Sequence, residues 1–597
     1  MALPSLKHSK INLKFIRSYA EIAIKNLLTT YKNENISLIL DESLISLINM
    51  SQKADKLRAL NVKNFSYLTS PYISAFNIFI IRPCIHNCQH IISVISNNKL
   101  CKFVVVFLPN KSLPCIKLFE QAGILDYMVI EELNINMIPL DYDLISMCYP
   151  NKLNGTFLTN IAQSLIFLQT ICGGIPYIQC IGPQSKFVMN EMLQLESTYV
   201  CGNIQKMIVI DRTCDPITPL LTQSTYYGAL DDMFGIKNGV INVPENTQIV
   251  FDKYVCKKDG NYTIKISSDD PVLNYVGILP LDLAYEILIT EAKQFKNSFT
   301  DLKSSKLADN DILLKSIDHT NFLNHRMPRQ LLETHLKLIY YLINEINKKS
   351  SIINFEENII LGIENDLLPV CSTSQILRLL YLQSVVDGTI NKKHIPVALN
   401  HNGKYDIEIN NFVDNIIDNI PDQKREVENK DFINKILTKE LFGISENQRH
   451  VPLTSNIQPN FQNMKTTFNL LEKDFIKDEQ VFDMAFTFGG VVSCRIIEKL
   501  LDKDKKLQSY KDTTLQDGFF NKINKNLKDI HTMKAHYMIR EEYLHITNLT
   551  EIAIIVFVGG VTYSEICALR FLANKNGIHI IVLTTDIING NSFIKVF

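Results

Sequence analysis

The sequence predicts an α/β fold with a mainly helical middle part, and three observations lead to this expectation. Short apolar runs alternate with helical patterns near both ends of the chain, which is typical of parallel sheets covered by helices. Several of these runs are apolar throughout and stop at charged residues, as strands buried on both faces do. Between the two ends, apolar residues recur with the spacing of amphipathic helices.

The composition is that of a large cytosolic globular protein. The 597 residues suffice for about three or four domains of roughly 150 residues each. Hydrophobic residues make up 46% and charged residues 21%, and the net charge of -1 gives no field that would attract nucleic acid or an anionic membrane. The thirteen scattered cysteines, without a secretory signal or a long apolar run, indicate reduced thiols and no transmembrane helix.

Residues 1–130 are predicted to form the first α/β domain, because strand and helix patterns alternate along them. The predicted strands are Ile36 to Leu40, Phe76 to Ile81 and Phe103 to Leu108. The predicted helices are Leu13 to Leu28, Ile85 to Ile95 and Cys115 to Ala122. This order favours a parallel sheet.

A second α/β segment begins near residue 131 and includes a helix near Asn160 to Cys172. Its most informative stretch starts with the apolar run Met207 to Ile210, which predicts a buried strand that ends at Asp211. Arg212 and Asp215 follow at once, so we expect the strand to lead into a charged loop.

The chain after this loop is stiffened by Pro216 and Pro219. We expect either Thr218 or Thr222 to cap a helix that runs to Phe234 and stops at Gly235.

Residues 236–464 are predicted to be mainly helical. The three amphipathic helices are expected at Pro280 to Phe295, Pro328 to Ile346 and Gln375 to Val386. The polar segment Asn391 to Asn434 is interpreted as loops with short elements.

The C-terminal part returns to α/β patterns. Ile552 to Val558 predicts a buried strand, followed by a tight turn at Gly559 and Gly560. Thr562 and Glu565 fit a capping box at the start of a helix to about Asn574. Ile578 to Leu583 predicts the next parallel strand.

Two patterns could bind a ligand, although each has a structural interpretation that we favour. The turn at Gly559 and Gly560 precedes a helix whose start could hold a phosphate, but no G-x-G-x-x-G or G-K-[ST] loop is present in the sequence. The second pattern is a group of four possible zinc ligands within seven residues, Cys84, His86, Cys88 and His90. On a helix, however, residues two apart point to different sides, which favours an ordinary helix with buried thiols.

The pair Asp211 and Asp215 could be catalytic or bind a metal ion. The alternative that we favour is that these carboxylates cap backbone amides and pair with Arg212. The sequence contains no G-x-S-x-G or H-E-x-x-H motif, and no cysteine has a neighbour in sequence that would activate it.

The stretch D-R-x-x-D-P-I-T-P-L-L-x-x-x-T-Y resembles the central motif of the SM (Sec/Munc) family, whose members act on SNARE proteins during membrane fusion. The matching residues are Asp211, Arg212, Asp215, Pro216, Thr218, Pro219, Leu220, Leu221, Thr225 and Tyr226. G-G-V-T-Y-S-E-I, with Gly559, Gly560, Thr562 and Glu565, resembles the C-terminal signature of that family. Val106 to Ile124 and Ile138 to Met147 resemble its vacuolar protein-sorting branch, of the Vps-thirty-three type.

This resemblance implies a multi-domain SM-type arch with two parallel-sheet α/β domains and a mainly helical inserted domain. The second α/β domain would be discontinuous, with residues 131–235 and 465–597 in one sheet. Residues 236–464 would be the insert, and its hairpin at about 281–347 would face SNARE proteins. The resemblance also implies a protein that is not an enzyme and needs no cofactor or metal ion.

The implied partners are SNARE proteins, whose assembly the protein would template, and a helical-repeat subunit of the class C tethering complexes HOPS and CORVET. The implied location is the cytoplasmic side of endosomal, vacuolar or lysosomal membranes, reached through partners. The predicted SNARE-binding residues are Arg326, Arg329, Leu332 and Lys337. The predicted tether-subunit contacts are Leu379, Leu382 and Gln383.

Two alternatives remain open at this stage: an SM protein of a Golgi or secretory step, and a nucleotide-binding α/β enzyme. The chain also departs from the pattern of the vacuolar branch, T-Y-E-G-L-I-D-E, because Tyr227, Ala229 and Asp232 replace its first Glu, its Leu and its last Glu. An ion pair made by a Glu at position 227 is therefore not expected here.

Overall fold

The computed structural model describes residues 13–51, 54–147, 149, 155–175, 177–195, 204–237, 239–247, 249, 251, 255–258, 260–266, 270–304, 329–363, 368–369, 371–387, 492–501, 536–539 and 552–594. These residues form two mainly parallel sheets, a small antiparallel sheet and a group of helices that follows the central motif. Among them, no helix combines the length and the apolar character that crossing a bilayer requires.

The first sheet has five parallel strands in the order β2-β1-β3-β4-β5. They are β1 (Ile36–Leu40), β2 (Val62–Tyr67), β3 (Phe76–Ile81), β4 (Lys102–Phe107) and β5 (Met128–Glu132). The three predicted strands are confirmed to within one residue. The two edge strands, β2 and β5, were not predicted because their partly exposed positions interrupt the apolar run that marks a central strand.

Helices cover both faces of this sheet. They are α1 (Leu13–Thr30), α2 (Ile45–Ser51), α3 (Ala54–Ala59), α4 (Ile85–Asn97) and α5 (Leu113–Gln121). Alternate residues of β3 enter two different cores: Ile78 packs with α1 to α3, and Phe79 packs with α4 and α5. This burial on both faces explains why the central strands are apolar throughout.

The second sheet brings the central motif and the C-terminal segment together. Seven strands form this sheet: β6 (Ile138–Pro139), β7 (Leu144–Ser146), β8 (Tyr177–Ile181), β9 (Lys206–Asp211), β13 (His536–Ile539), β14 (Ile552–Val558) and β15 (His579–Thr584). Between β9 and β13, the strands β10 (Val240–Pro244), β11 (Cys256–Lys258) and β12 (Asn261–Lys265) form the small antiparallel sheet. The seven-stranded sheet has the order β13-β8-β9-β14-β15-β7-β6. Because Ile208 lies beside Ile555 and Val209 beside Val556, the prediction that these distant segments share one sheet is confirmed.

The remaining helices cover this sheet or lie between β9 and β14 along the chain. They are α6 (Gly155–Cys172), α7 (Pro183–Leu195), α8 (Tyr226–Phe234), α9 (Pro271–Val276), α10 (Leu281–Ser304), α11 (Arg329–Lys348), α12 (Ser350–Leu361), α13 (Thr373–Asp387), α14 (Val492–Leu501), α15 (Tyr563–Asn576) and α16 (Gly590–Ile594). Leu165 of α6 and Met192 of α7 pack on one face of the sheet, whereas Leu230 of α8 and Leu569 of α15 pack on the other. The sheet is therefore buried on both sides.

The helix after the central motif begins later than the sequence predicts. Thr225, and neither Thr218 nor Thr222, is its N-cap, and the Thr225 hydroxyl accepts a hydrogen bond from the Gly228 amide at 3.2 Å. The other two hydroxyls are already used, since Thr218 donates to Asp215 at 2.6 Å and Thr222 donates to Glu356 at 2.9 Å. The predicted end at Gly235 is confirmed.

The three predicted helices of the insert are confirmed as α10, α11 and α13. The sequence did not predict α12, because only Lys349 separates it from α11 and no Gly or Pro marks the change of direction. The small sheet of β10, β12 and β11 was also missed, since its strands are short and two of them, β11 and β12, are largely polar. The segment Asn391 to Asn434 lies outside the described residues.

The turn after β14 requires glycine for two separate reasons. Gly560 has a positive φ of 96°, and a Cβ atom there would lie 2.5 Å from Cγ2 of Ile588. Gly577, which ends α15, has a positive φ of 61° but no atom within 4 Å of the position of a Cβ. The capping box of Thr562 and Glu565 at the start of α15 is confirmed.

We expect Gly560→Ala to lower the free energy of unfolding by about 3 kcal/mol, because it adds a steric clash to the backbone strain. Gly577→Ala is the matched control and is expected to cost about 1 kcal/mol, because only the strain is present. Chemical denaturation of the two variants measures both values, and equal losses would contradict the packing assigned to Gly560.

Candidate functional site

A buried ion pair lies where β9 ends. Two nitrogens of the Arg212 guanidinium donate to the two carboxylate oxygens of Glu565, with Nη1–Oε2 at 2.9 Å and Nη2–Oε1 at 2.7 Å. Arg212 also donates to the Gly560 carbonyl at 3.2 Å and lies 3.7 Å from the Asp215 carboxylate. Only 1% of Arg212 is exposed. A buried arginine of this kind is stable because two carboxylates balance its charge and Nη1 and Nη2 have close partners, although Nε has no hydrogen-bond partner among the described residues.

Three segments that are distant in sequence contribute to this pair. Asp215 follows β9, Glu565 lies in the first turn of α15, and Ser493 lies at the start of α14. The Ser493 amide donates to Asp215 at 3.0 Å, and its hydroxyl donates to Glu565 at 2.6 Å. We call these three residues, together with Arg212, the central network.

The charges in the central network determine where its carboxyl groups titrate. Burial acts to raise the pKa of Glu565, but the charge and hydrogen bonds of Arg212 hold that pKa below its usual value. Burial raises the pKa of Asp215, which makes the longer contact with Arg212. The pair of Arg212 and Glu565 is therefore the ionic core of the network.

Asp211 caps the start of α7 instead of binding a ligand. Its carboxylate accepts hydrogen bonds from the Gln184 amide of α7 and from the Thr213 amide, both at 3.0 Å. Gly182, which precedes α7, has a positive φ of 96°, and a Cβ atom there would collide with this carboxylate. Burial raises the pKa of Asp211 to about 6, although its hydrogen bonds act in the opposite direction.

These contacts fill the place where a doubly wound sheet usually binds its ligand. β8 leads to α7 on one face, β14 leads to α15 on the other face, and β9 lies between these two strands. Asp211 occupies the start of α7, and Arg212 lies against the turn that precedes α15. The expectation that the two aspartates cap backbone amides is confirmed, and the expected pairing with Arg212 is observed for Asp215.

The possible zinc ligands are divided between the two sides of α4. The Cys84 thiol accepts a hydrogen bond from the Asn87 amide at 3.4 Å, His86 is exposed and Cys88 is buried. Within the described part of the chain, no group of three or more His, Cys, Asp or Glu residues could hold a metal ion.

Polar contacts connect the central motif to the three helices α11, α12 and α13. Tyr226 contacts His335 of α11 at 2.7 Å, and His335 in turn contacts Asp270 at 2.9 Å. Glu356 of α12 accepts hydrogen bonds from the Thr222 amide and hydroxyl, both at 2.9 Å.

The third contact comes from Arg378 of α13. Its guanidinium donates to the carbonyls of Leu220 and Leu221, at 3.1 and 2.9 Å, and to the Asp232 carboxylate at 2.9 Å. The Asp at position 232, which departs from the vacuolar pattern, thus keeps a carboxylate where Arg378 can pair with it.

The departure at position 227 is accommodated by stacking. The ring of Tyr227 lies 4.8 Å from that of Tyr563, and the two planes are nearly parallel at 16°. Arg570 lies 5.8 Å from the Tyr227 ring and pairs with Asp141 at 2.7 Å and Asp143 at 2.6 Å. An aromatic contact therefore occupies the position of the expected Glu.

The predicted SNARE-binding residues occupy different environments. Arg329 is exposed, and Lys337 is partly exposed and pairs with Glu333 at 2.8 Å. Leu332 packs in the core beneath α11, so it supports the helix and does not lie on its surface. Arg326 lies outside the described residues.

The three predicted tether-subunit contacts are buried. Leu379, Leu382 and Gln383 pack inside the protein on α13, so direct contact with a partner is not open to them in this conformation. The apolar stripe of α13 marks the core of the protein itself, which a sequence pattern does not distinguish from an interface.

Sequence reasoning also missed several residues of the site. They are Asp141, Asp143, Asp270, His335, Glu356, Arg378, Ser493 and Arg570. Several of them are single polar residues within apolar helical patterns, as His335 is between Leu332 and Leu338. Such a residue signals a buried polar contact, but the sequence does not show which partner it meets.

The buried Glu356 leads to a pH-dependent prediction. Burial raises the pKa of Glu356 to about 7, so its contribution to folding is complete at acid pH and is lost as the pH rises through 7. In Glu356→Gln this titration is absent, and the glutamine side chain can still form hydrogen bonds with the hydroxyl and the backbone amide of Thr222. We expect the variant's stability relative to the wild type to increase by about 2–3 kcal/mol between pH 5 and pH 8.

Denaturant unfolding at the two pH values measures this difference. Glu357→Gln on the same helix is the control, because its side chain is less buried. A difference between the Glu356→Gln variant and the wild type that stays constant across this range would contradict the buried position of Glu356.

Comparison with known proteins gives the family. Residues 36–596 match the model of the Sec1 family. The chain is 24% identical over 648 aligned positions to the vacuolar protein-sorting-associated protein 33 homolog of Arabidopsis thaliana, with 100% of this chain and 99% of that protein covered. It is 26% identical over 557 positions to vacuolar protein sorting-associated protein 33B of Homo sapiens, with 86% and 85% covered.

A solved structure shares the fold. The chain is similar to one in the Unc18-syntaxin 1 complex from Monosiga brevicollis, at 15% identity and a TM-score of 0.51, with 97% of this chain and 98% of that chain covered. The predicted SM-type α/β fold and the predicted SM resemblance are both confirmed. Since the family model matches far more than half of its length, this chain belongs to the Sec1 family, the SM proteins, which are non-enzymatic regulators of membrane traffic.

Proposed function

We propose that this protein binds SNARE motifs on the outer side of the hairpin of α10 and α11 and so promotes their assembly into a bundle. The observation that carries this proposal is a stripe of exposed or partly exposed side chains along α11. Its members are Arg329, Glu333, Lys337, Tyr340 and Asn344. With spacings of three and four residues, they lie on one side of the helix.

The opposite side of α11 is fixed in the core. Leu332, Leu338, Ile339 and Leu342 are buried there together with His335. The helix therefore presents a continuous outer side while its inner side is held against the protein.

Tyr340 is the centre of this outer surface. Its side chain is 57% exposed, and its ring lies 6.4 Å from that of Tyr285 on α10. We call the stripe on α11, together with Tyr285, the docking ledge. Exposed tyrosines are frequent anchors of binding surfaces because they bury a large area with little loss of side-chain freedom.

The chemistry of the docking ledge suits an amphipathic helix. An apolar stripe of a SNARE motif can cover the two tyrosines, while charged residues beside that stripe meet Arg329, Glu333 and Lys337. The solved relative whose fold this chain shares is itself in a complex with syntaxin 1. A preformed ledge lowers the ordering entropy that disordered SNARE segments lose when they assemble.

The trafficking step that we propose is that of the vacuolar branch. The sequence relatives are named for vacuolar protein sorting, which favours fusion at endosomal, vacuolar or lysosomal membranes over a Golgi or secretory step. We propose that the protein acts there as a subunit of a class C tethering complex of the HOPS or CORVET type and reaches the membrane through its partners. Because Leu379, Leu382 and Gln383 are buried, we place the contact with the helical-repeat subunit elsewhere.

The domain organisation that we propose follows the sequence boundaries. The first domain is residues 1–130, and the second consists of residues 131–235 and 465–597. The direct pairing of β9 with β14 supports this division, because the helices of residues 236–464 then lie in an insert within the second domain.

We expect Tyr340→Ala to weaken the binding of a syntaxin-type SNARE motif from the same cell by at least about tenfold, because truncating an interface anchor costs about 1–2 kcal/mol or more. Tyr72→Ala is the matched control, since Tyr72 is 58% exposed but belongs to the first domain. Fluorescence anisotropy of the labelled motif measures both affinities. Equal binding by the two variants would overturn the placement of the docking ledge.

A further inference from the structure

A buried chain of three polar side chains connects the central motif to the helix that carries the docking ledge. Oη of Tyr226 on α8 lies 2.7 Å from Nδ1 of His335 on α11. Nε2 of His335 lies 2.9 Å from Oδ2 of Asp270, the residue before α9. Tyr226 and His335 are both fully buried, and Asp270 is 8% exposed. We call these three residues the relay.

The partners of Asp270 determine the direction of its hydrogen bond with His335. Its Oδ1 accepts from the amides of Val272 and Leu273, at 2.9 and 3.2 Å, and so caps α9. Burial acts to raise the pKa of Asp270, but His335 and these amides hold that pKa below its usual value. The ionised carboxylate can only accept, so Nε2 of His335 carries the proton. Nδ1, the other ring nitrogen, forms the hydrogen bond with the Tyr226 hydroxyl.

The relay constrains α11 in a way that its apolar contacts do not. The contacts of Leu332, Leu338 and Leu342 are not directional, and such surfaces tolerate small rotations with little loss. A hydrogen bond of 2.7 Å tolerates much less displacement, because a buried donor or acceptor without a partner is costly. Both ring nitrogens of His335 are engaged, so rotating α11 about its axis would break two contacts at once.

His335 lies within the span of the ledge on the same helix. Glu333 and Lys337 each stand two residues away from it, on the outer side. A rotation of α11 that releases His335 therefore moves these two side chains and Tyr340 relative to Tyr285 of α10. The alignment of the docking ledge therefore depends on the rotation of α11 about its axis.

We infer that Tyr226, His335 and Asp270 are positioning residues that set the rotation of α11 and thereby align the docking ledge for a SNARE motif. This inference rests on the proposed function. It also assigns a task to the tyrosine of the central motif: Tyr226 connects the sheet domain to the binding surface through a specific hydrogen bond.

The test uses Tyr226→Phe in the full chain, because this change removes only the hydroxyl and keeps the ring that meets His335 edge to face at 82°. Tyr341→Phe is the matched control on α11, since its ring stacks against Phe234 at a centroid distance of 5.9 Å. The rate of hydrogen exchange of the amides of residues 329–348 in the free protein measures how readily α11 opens locally. The affinity for a labelled syntaxin-type SNARE motif measures the alignment of the ledge.

We expect Tyr226→Phe to accelerate exchange in α11 by about tenfold and to weaken SNARE-motif binding by a similar factor, with little change in the control. Unchanged exchange in Tyr226→Phe would overturn the relay. Faster exchange with unchanged affinity would overturn its link to the ledge. If the wild-type protein itself does not bind the motif, the proposed function fails, whereas the exchange experiment still decides whether the relay fixes α11.

A second pair of variants guards against a folding defect in Tyr226→Phe. His335→Gln keeps a side-chain donor for Asp270, and His335→Leu removes it while preserving the apolar repeat of α11. We expect a graded loss of affinity, with the leucine variant weaker than the glutamine variant. Binding by His335→Leu as tight as that of the wild type would contradict the inference.

Discussion

The structure depends on the buried contact between Arg212 and Glu565, residues that lie 353 positions apart in the chain. Removing two charges from water is costly, so such a pair is stable only when its geometry is close to ideal and the remaining donors and acceptors are satisfied. Ser493, Thr562 and the Gly560 carbonyl provide further contacts, and among the described residues only Nε of Arg212 lacks a partner in this pair. The pair therefore favours one alignment of β9 against β14, whereas apolar strands alone would also tolerate other registers.

The loop and helix that follow Arg212 extend the same constraint to the helices α11, α12 and α13. Thr222, Tyr226 and Asp232 each make a polar contact with a different helix, namely α12, α11 and α13. The central motif is thus a structural junction, and its charged residues are used within the protein. This arrangement explains how a motif with the appearance of an active site serves a protein that is not an enzyme. The central motif therefore provides a rigid base for α11, the helix on which we place partner binding.

The sequence predicted the parts of this fold whose residues carry a local signal. Strands buried on both faces, such as β3 and β14, are apolar throughout and were found with their bounds. The capping box of α15 is likewise local. Edge strands such as β2 lack that signal, and the start of α8 depended on contacts of the threonine hydroxyls, including that of Thr222 with the distant Glu356.

The contacts between residues of the site were harder to predict than the residues of its two motifs. Arg212 and Glu565 both belong to recognised motifs, but Ser493 and His335 are identified only by the contacts that folding creates. An apolar helical stripe also has two possible meanings. On α13 it marks the core, in which Leu379 and Leu382 are buried, whereas on α11 the surface is defined by the residues between the apolar positions.

The most direct test of the central claim is hydrogen exchange in Glu565→Gln compared with the wild type. This substitution leaves the buried charge of Arg212 with Asp215 at 3.7 Å as its nearest carboxylate in the network. If the central network holds the sheet and the helices α11 to α13 together, the amides of β9, β14 and α11 lose protection together. Loss confined to the first turn of α15, with α11 still fully protected, would contradict the account.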